Sequence, residues 1–106
     1  MIRELCLIVK IWRWHDKQFK GLTSDGQERK FHSEINEFNE AKAKYIKTRY
    51  AKRYKYAPNL KEETADVIIA GLNLLKYPEF FERVAVKHNI NTHRTWKGVH
   101  HDVSTK

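Results

Sequence analysis

The sequence predicts an all-α protein, a bundle of about four helices that forms one domain over residues 1–106. Apolar residues recur at three- and four-residue intervals along most of the chain, which is the period of an amphipathic helix. No segment alternates apolar and polar residues as a half-buried strand would. The length fits a single domain, and 41% hydrophobic residues suffice for a modest core.

The first half of the chain contains two predicted helices. The first spans residues 2–17, and a loop dense in turn formers follows over residues 20–26. The second helix begins near Gln27 and runs past Tyr45. The basic, tyrosine-rich segment 44–56 either extends this helix or loosens into a connection, and the sequence leaves both possibilities open.

The second half contains the third and fourth helices. Asn59 is a suitable N-cap for a third helix that runs from about Leu60 to Lys76. This helix is apolar nearly all round, which predicts that it is the central, most buried one. Three short partners cannot cover so much apolar surface, so we expect a homodimer at least. A fourth helix over about residues 79–93 has Pro78 in its first turn and four candidate packing residues, Phe80, Phe81, Val84 and Val86.

Composition limits the partners and the setting. Lys and Arg number 21 against 13 Asp and Glu, and a formal charge of +8 attracts phosphate-bearing partners. The single cysteine, Cys6, excludes an intrachain disulfide and is expected to be a small buried residue. The apolar run at residues 5–9 is too short for a signal core or a membrane span, so we expect a soluble, cytoplasmic protein. The tail, residues 95–106, is polar and irregular.

Two pairs of carboxylates are the strongest functional signal. Glu34 and Glu37 lie three residues apart on the second helix, as Glu63 and Asp66 do on the third, so each pair shares a helix face. Both pairs flank an apolar stripe. Asn73 lies on the same side of the third helix two turns further on, and we expect it to contact the substrate. Clustered buried carboxylates repel one another, and a divalent cation such as Mg²⁺ or Mn²⁺ relieves the repulsion. The alternative is a solvated face with two chance acidic pairs.

These segments resemble a known family. The stretch from His32 to Ala41, followed by the stretch from Glu62 to Leu72, is similar to the MazG-like nucleotide pyrophosphohydrolases of the all-α NTP pyrophosphatase superfamily. The family signature, E-E-x-x-E on one helix and E-x-x-D on the next, together holds Mg²⁺. The resemblance implies that Glu34, Glu37, Glu63 and Asp66 are the metal ligands and catalytic carboxylates. Ser33 departs from the pattern, because it stands where the family has its leading glutamate.

The likeness continues downstream and covers about residues 27–98. Lys87, Asn91 and Arg94 match a K-x-x-x-N-x-x-R segment that handles substrate phosphates in the family. The resemblance implies Mg²⁺-dependent hydrolysis of a (d)NTP to (d)NMP and pyrophosphate, by water attack at the α-phosphorus. It also implies a homodimer or tetramer, in which a neighbouring chain completes the nucleotide pocket.

The sequence leaves the roles of other residues, and two other functions, open. Trp12 is expected to pack in the core, whereas Trp14 lies off the apolar stripe and is a candidate platform for a nucleobase or a subunit contact. His15 and Lys30 are weaker candidates for ligand contact. The rival function is a small basic nucleic-acid-binding module, to which a site of four carboxylates is poorly suited. A catalytically silent nucleotide sensor is a third alternative.

Overall fold

The computed structural model describes residues 1–94, and within them every regular element is a helix. The all-α prediction is therefore confirmed for this part of the chain. The elements in order are α1 (Ile2–Gln18), α2 (Ser24–Lys47), a 3-10 helix (Tyr50–Lys55), α3 (Ala57–Leu74) and α4 (Pro78–Thr92). Among the described residues, no helix has both the length and the apolar character needed to cross a membrane. The predicted irregular tail, with Trp96, lies outside the described residues.

The turn between α1 and α2 is shorter than predicted. Gly21 has a φ of +76°, a left-handed conformation that glycine adopts without steric cost. Thr23 then caps α2, because its Oγ1 accepts a hydrogen bond from the backbone N–H of Gly26 at 3.1 Å. The prediction of a loop over residues 20–26 is therefore wrong in its second half. With Thr23 as its cap, α2 begins at Ser24, three residues before Gln27.

The basic segment after α2 leaves the α-helix at Lys47 and continues as the 3-10 helix. Arg53 fixes this change of direction. Its Nε donates to the Thr48 carbonyl and its Nη2 to the Ile46 carbonyl, both at 3.2 Å. These carbonyls lie at the end of α2, where the helix offers them no amide partner. The guanidinium also lies over the rings of Tyr45 and Tyr50, at 5.4 Å from each centroid.

The start of α3 differs from the expected capping box. The helix begins at Ala57, and Pro58 occupies its first turn. Proline fits there because its missing N–H would have no helical partner anyway. Asn59 therefore lies inside the helix, and the prediction that it caps α3 is wrong. The corresponding prediction for α4 is confirmed, since Pro78 is its first residue.

α2 and α3 form the main packing unit and run antiparallel. The Gln27 side chain at the start of α2 donates to the carbonyl of Ala70 near the end of α3 at 3.1 Å, whereas Glu37 further along α2 lies beside Glu63 near the start of α3. α1 joins this pair through Trp12, whose Nε1 donates to the Leu72 carbonyl at 2.8 Å. α3 is therefore central, as predicted.

Much apolar surface remains exposed in the single chain. Ile68 of α3 is 57% exposed and Phe81 of α4 is 59% exposed. Val84 and Val86 are exposed as well, so most of the predicted packing residues of α4 do not pack within the chain. Cys6 is also exposed, contrary to expectation, and so is every other residue from 1 to 7.

Candidate metal centre

The antiparallel packing of α2 and α3 brings three of the four predicted carboxylates together. One carboxylate oxygen from each of Glu34, Glu37 and Glu63 lies within 4.8 Å of the other two. The i,i+3 spacing places Glu34 and Glu37 on one face of α2, and α3 supplies Glu63 opposite them. Asp66 is outside this three-oxygen group, although its charge acts on both Glu34 and Glu63.

The cluster carries buried oxygens without partners. The Oε2 atoms of Glu34 and Glu63 are removed from solvent and accept no hydrogen bond from any described residue. Glu37 and Asp66 are exposed, so the site has a half-buried inner side and a solvent side. The ion pairs within residues 1–94 lie elsewhere, at the N-terminus and at Lys76, so none neutralises the cluster. Buried carboxylate oxygens are costly without a donor or a cation.

The electrostatics of the cluster favour protonation or cation binding. Burial raises the pKa of Glu34, and the neighbouring carboxyl of Glu37 and the charges of Asp66 and Glu63 raise it further. Burial likewise raises the pKa of Glu63, as do the charges of Glu37, Asp66 and other nearby carboxylates. Each carboxylate thus opposes the ionisation of its neighbours. A divalent cation removes that opposition, because it pairs with several carboxylates at once.

The donor set fits a hard divalent cation. All donors are carboxylate oxygens, which Mg²⁺ and Mn²⁺ prefer. Oxygens on opposite sides of Mg²⁺ lie about 4 Å apart, since each metal–oxygen distance is about 2.0–2.1 Å. The observed limit of 4.8 Å is therefore close to the spacing that one ion requires. Glu34, Glu37 and Glu63 are the residues that would hold it, and the role of Asp66 as a fourth ligand stays a prediction.

A cavity of about 250 Å³ adjoins the carboxylates. Glu34 and Asp66 line one end of it. Trp14 and Phe19 form an aromatic side, with their ring centroids 6.0 Å apart in an edge-to-face arrangement. The cavity is otherwise lined by His15, Gln27, Lys30, Ile69, Ala70 and Asn73. Trp14 and Asn73, both predicted to contact the substrate, therefore lie in one cavity beside the candidate metal ligands.

Hydrogen bonds fix the polar back wall of this cavity. Because Gln27 uses its Nε2 to donate to Ala70, its Oε1 faces His15 and accepts from His15 Nε2 at 2.7 Å. His15 Nδ1 then accepts from the Lys76 ammonium at 2.5 Å, and Lys76 also pairs with Asp16. Burial lowers the pKa of His15, and the positive charge of Lys76 lowers it further. The network therefore holds His15 as a neutral imidazole.

The residues predicted to bind phosphates lie on a different element. Lys87 and Asn91 are on α4, and Arg94 follows its end; all three are exposed. None of them lines the cavity beside the carboxylates. Their role toward phosphates stays a prediction.

Sequence reasoning missed two residues of the site, Phe19 and Gln27. Gln27 is buried and anchors His15 to α3. A signal for it exists, because it stands one helical turn before Phe31 and so places an amide on the apolar stripe of α2. Phe19 follows the last residue of α1, where its contacts depend on the turn at Gly21, and the sequence carries no comparable signal for it.

No protein-family model, curated protein or solved structure matches this chain.

Proposed function

We propose that this protein is a Mg²⁺-dependent nucleoside triphosphate pyrophosphohydrolase, which converts a (d)NTP and water to a (d)NMP and pyrophosphate. One observation supports this most strongly. Carboxylate oxygens of Glu34, Glu37 and Glu63 converge within 4.8 Å, while the Oε2 atoms of Glu34 and Glu63 are buried and have no hydrogen-bond partner within residues 1–94. Such a cluster is costly in the folded protein unless it binds a cation. The resemblance of these residues to the MazG-like motif suggests the reaction class, and this resemblance and the composition support the proposal of a cytoplasmic protein.

The residues of the candidate site are proposed to have three roles: binding the metal ion, accepting a proton from the attacking water and binding the nucleobase. When bound, Mg²⁺ supplies charge neutralisation and polarisation of the phosphoryl group. Glu37 and Glu63 would hold the cation together with one oxygen of Glu34, and Asp66 lies beside them. Glu34 lines the cavity and has a raised pKa, which brings it closer to neutral pH and suits it to accept a proton from the attacking water.

The surrounding charges and rings suit an anionic nucleotide. Trp14 is 59% exposed and lines the cavity, so one ring face is available to stack on a base. Lys30 lies over the Phe19 ring at 4.1 Å, at the same cavity. The net charge of +8 assists capture of a triphosphate. Lys87 and Arg94 are proposed to stabilise the pyrophosphate that leaves.

A second copy of the chain is proposed to cover the exposed apolar faces. Leu5 and Leu7 of α1 and Phe81 of α4 are each more than half exposed. Exposed apolar surface of this extent marks an interaction site in a protein that remains in solution. Light scattering coupled to size-exclusion chromatography should give a dimer or tetramer, and Phe81→Glu should shift it toward the monomer. A monomeric wild-type protein would contradict this part of the proposal.

The enzyme proposal is tested by pyrophosphate release. Each ribo- and deoxyribonucleoside triphosphate is incubated with the protein and Mg²⁺, and Glu63→Gln is compared with the control Glu79→Gln on α4. We expect release with at least one nucleotide, retention in the control and a loss of about 100-fold or more in Glu63→Gln. Release from no nucleotide, or equal release by both variants, would overturn the proposal.

A second candidate function is supported by the 3-10 helix. Tyr50 is 85% exposed and Tyr54 69% exposed, and Lys52 and Lys55 between and beside them form no ion pair with a described residue. Exposed rings interleaved with cations suit a single-stranded nucleic acid. Tight oligonucleotide binding with a steep salt dependence, in a protein that releases no pyrophosphate, would favour this candidate instead.

A further inference from the structure

The cavity beside the carboxylates has the composition of a site for a flat heterocycle. Trp14 and Phe19 supply aromatic surface and Ile69 supplies aliphatic surface. Amide and imidazole groups form a polar wall, in addition to the charged side chains of Lys30, Glu34 and Asp66. Its volume of about 250 Å³ is small, and a planar base that stacks on Trp14 uses such a space better than a flexible chain does. The polar wall therefore decides which base is accepted.

Two of the polar groups on that wall are already committed to protein partners. His15 donates through Nε2 to Gln27 and accepts through Nδ1 from Lys76. Gln27 uses its oxygen for His15 and its nitrogen for the Ala70 carbonyl. Neither side chain can turn toward a ligand without breaking a buried hydrogen bond, which is costly.

Asn73 is different, because its side-chain oxygen, Oδ1, has no hydrogen-bond partner among the described residues. The residue is only 4% exposed, and its Oδ1 is removed from solvent without accepting a hydrogen bond. It nevertheless lines the cavity. A buried acceptor left unpaired costs free energy that a ligand donor would recover. The unmet requirement at this wall is therefore an N–H or O–H donor.

We infer that Asn73 selects nucleotides whose base carries an exocyclic amino group, as cytosine and adenine do. This inference rests on the proposed function for the position of the triphosphate near Glu34, and it deepens that proposal by naming the substrate class. The amino group donates to Asn73 Oδ1. In uracil and hypoxanthine a carbonyl oxygen replaces that amino group. In the orientation that the Asn73 amide has in this structure, two acceptors would then face each other and Oδ1 would stay unpaired.

Matched nucleotide pairs test the inference. CTP is compared with UTP, and ATP with inosine triphosphate, because each pair differs in the amino group and its neighbouring ring nitrogen. We expect kcat/KM to favour at least one amino-bearing partner by about 10- to 100-fold, the range of a buried hydrogen bond lost at a built site. Asn73→Leu should bring this ratio close to one, whereas Asn73→Asp keeps the acceptor and should keep the preference. Asn59→Leu, on the exposed first turn of α3, should leave the ratio unchanged.

The binding of nucleoside monophosphates, the products of the proposed reaction, tests base selection independently of the proposed enzyme activity. Calorimetric titration with cytidine and uridine monophosphates requires no hydrolysis. Tighter binding of the cytidine nucleotide, abolished by Asn73→Leu and kept by Asn73→Asp, would support the selection even if no pyrophosphate were released. Equal turnover of both members of both pairs by the wild-type enzyme would overturn the selection while the proposed activity stood.

Discussion

In the absence of metal, Glu34→Gln should be more stable than the wild type. In the presence of metal, it should be less stable than the wild type. In the metal-free protein, Glu34 is half-buried and has Glu37 and Glu63 within 4.8 Å. Its pKa is raised, so the folded state resists the charged form that prevails at neutral pH. Glutamine keeps the shape of the side chain and removes the charge. The same substitution removes a ligand from the candidate metal centre, and the two effects therefore have opposite signs.

The magnitude follows from the separation of the charges. Two unit charges 4.8 Å apart interact by about 1 kcal/mol in water and by about 3.5 kcal/mol at an effective dielectric constant near 20. Because Glu37 is exposed, solvent screening puts the gain for Glu34→Gln near the lower value, about 1 kcal/mol. In a domain of this size that corresponds to about 4 °C in Tm. A ligand at about 100 times its Kd stabilises the wild type by about 2.7 kcal/mol, or about 10 °C.

Thermal unfolding followed by circular dichroism measures both effects. With a chelator present, Glu34→Gln should unfold about 4 °C above wild type, and in excess Mg²⁺ wild type should unfold above the variant. Glu79→Gln, whose carboxylate lies on α4, should follow wild type in both conditions. An equal increase in Tm on adding Mg²⁺ for wild type and Glu34→Gln would show that Glu34 is not a metal ligand. A variant that is less stable than wild type in chelator would show that the Glu34 charge does not destabilise the metal-free protein.

Three further outcomes follow from other parts of the structure. Burial and the Lys76 charge lower the pKa of His15 in the folded protein. As the pH falls, His15 therefore takes up a proton at a higher pH in the unfolded chain than in the folded one. The free energy of unfolding should consequently fall as the pH drops below about 6.5. Chemical denaturation at pH 7.5, 6.5 and 5.5 should show this extra slope in wild type and lack it in His15→Gln. Arg53→Leu removes two hydrogen bonds to the end of α2 and should cost about 1 kcal/mol, with faster amide exchange in the 3-10 helix, whereas Lys52→Leu should change neither. Trp14→Ala should raise KM for the preferred nucleotide about 10-fold, because a stacking surface for the base is lost. The Tm should change by less than about 2 °C, because the side chain is 59% exposed. An unchanged KM would show that Trp14 does not bind the base.

The helices were predictable because their signals are local. Apolar spacing placed all four α-helices, and Pro58 and Pro78 each stand in the first turn of one. The predicted helix boundaries were wrong where two local signals compete. Thr23 and Asn59 are both good N-caps by residue type. Thr23 caps α2, whereas at Asn59 the preceding Pro58 had already started the helix.

The site was predictable only as far as helix faces determine it. The i,i+3 spacing placed Glu34 with Glu37, and the antiparallel packing of α2 on α3 brought Glu63 to them. The cavity depends on long-range contacts that no local pattern encodes. Gln27 meets Ala70 across 43 residues, and His15 meets Lys76 across 61. Such pairs become visible only once the chain is folded.

Metal binding itself tests whether Glu34, Glu37 and Glu63 form a divalent-cation site. Free Mn²⁺ is titrated with the protein and followed by electron paramagnetic resonance, because bound Mn²⁺ loses its sharp free-ion signal. We predict saturable binding that Mg²⁺ displaces, that Glu63→Gln weakens by at least about 10-fold, and that Glu79→Gln leaves intact. Binding that is equally strong in wild type and Glu63→Gln, or no saturable binding at all, would contradict the assignment.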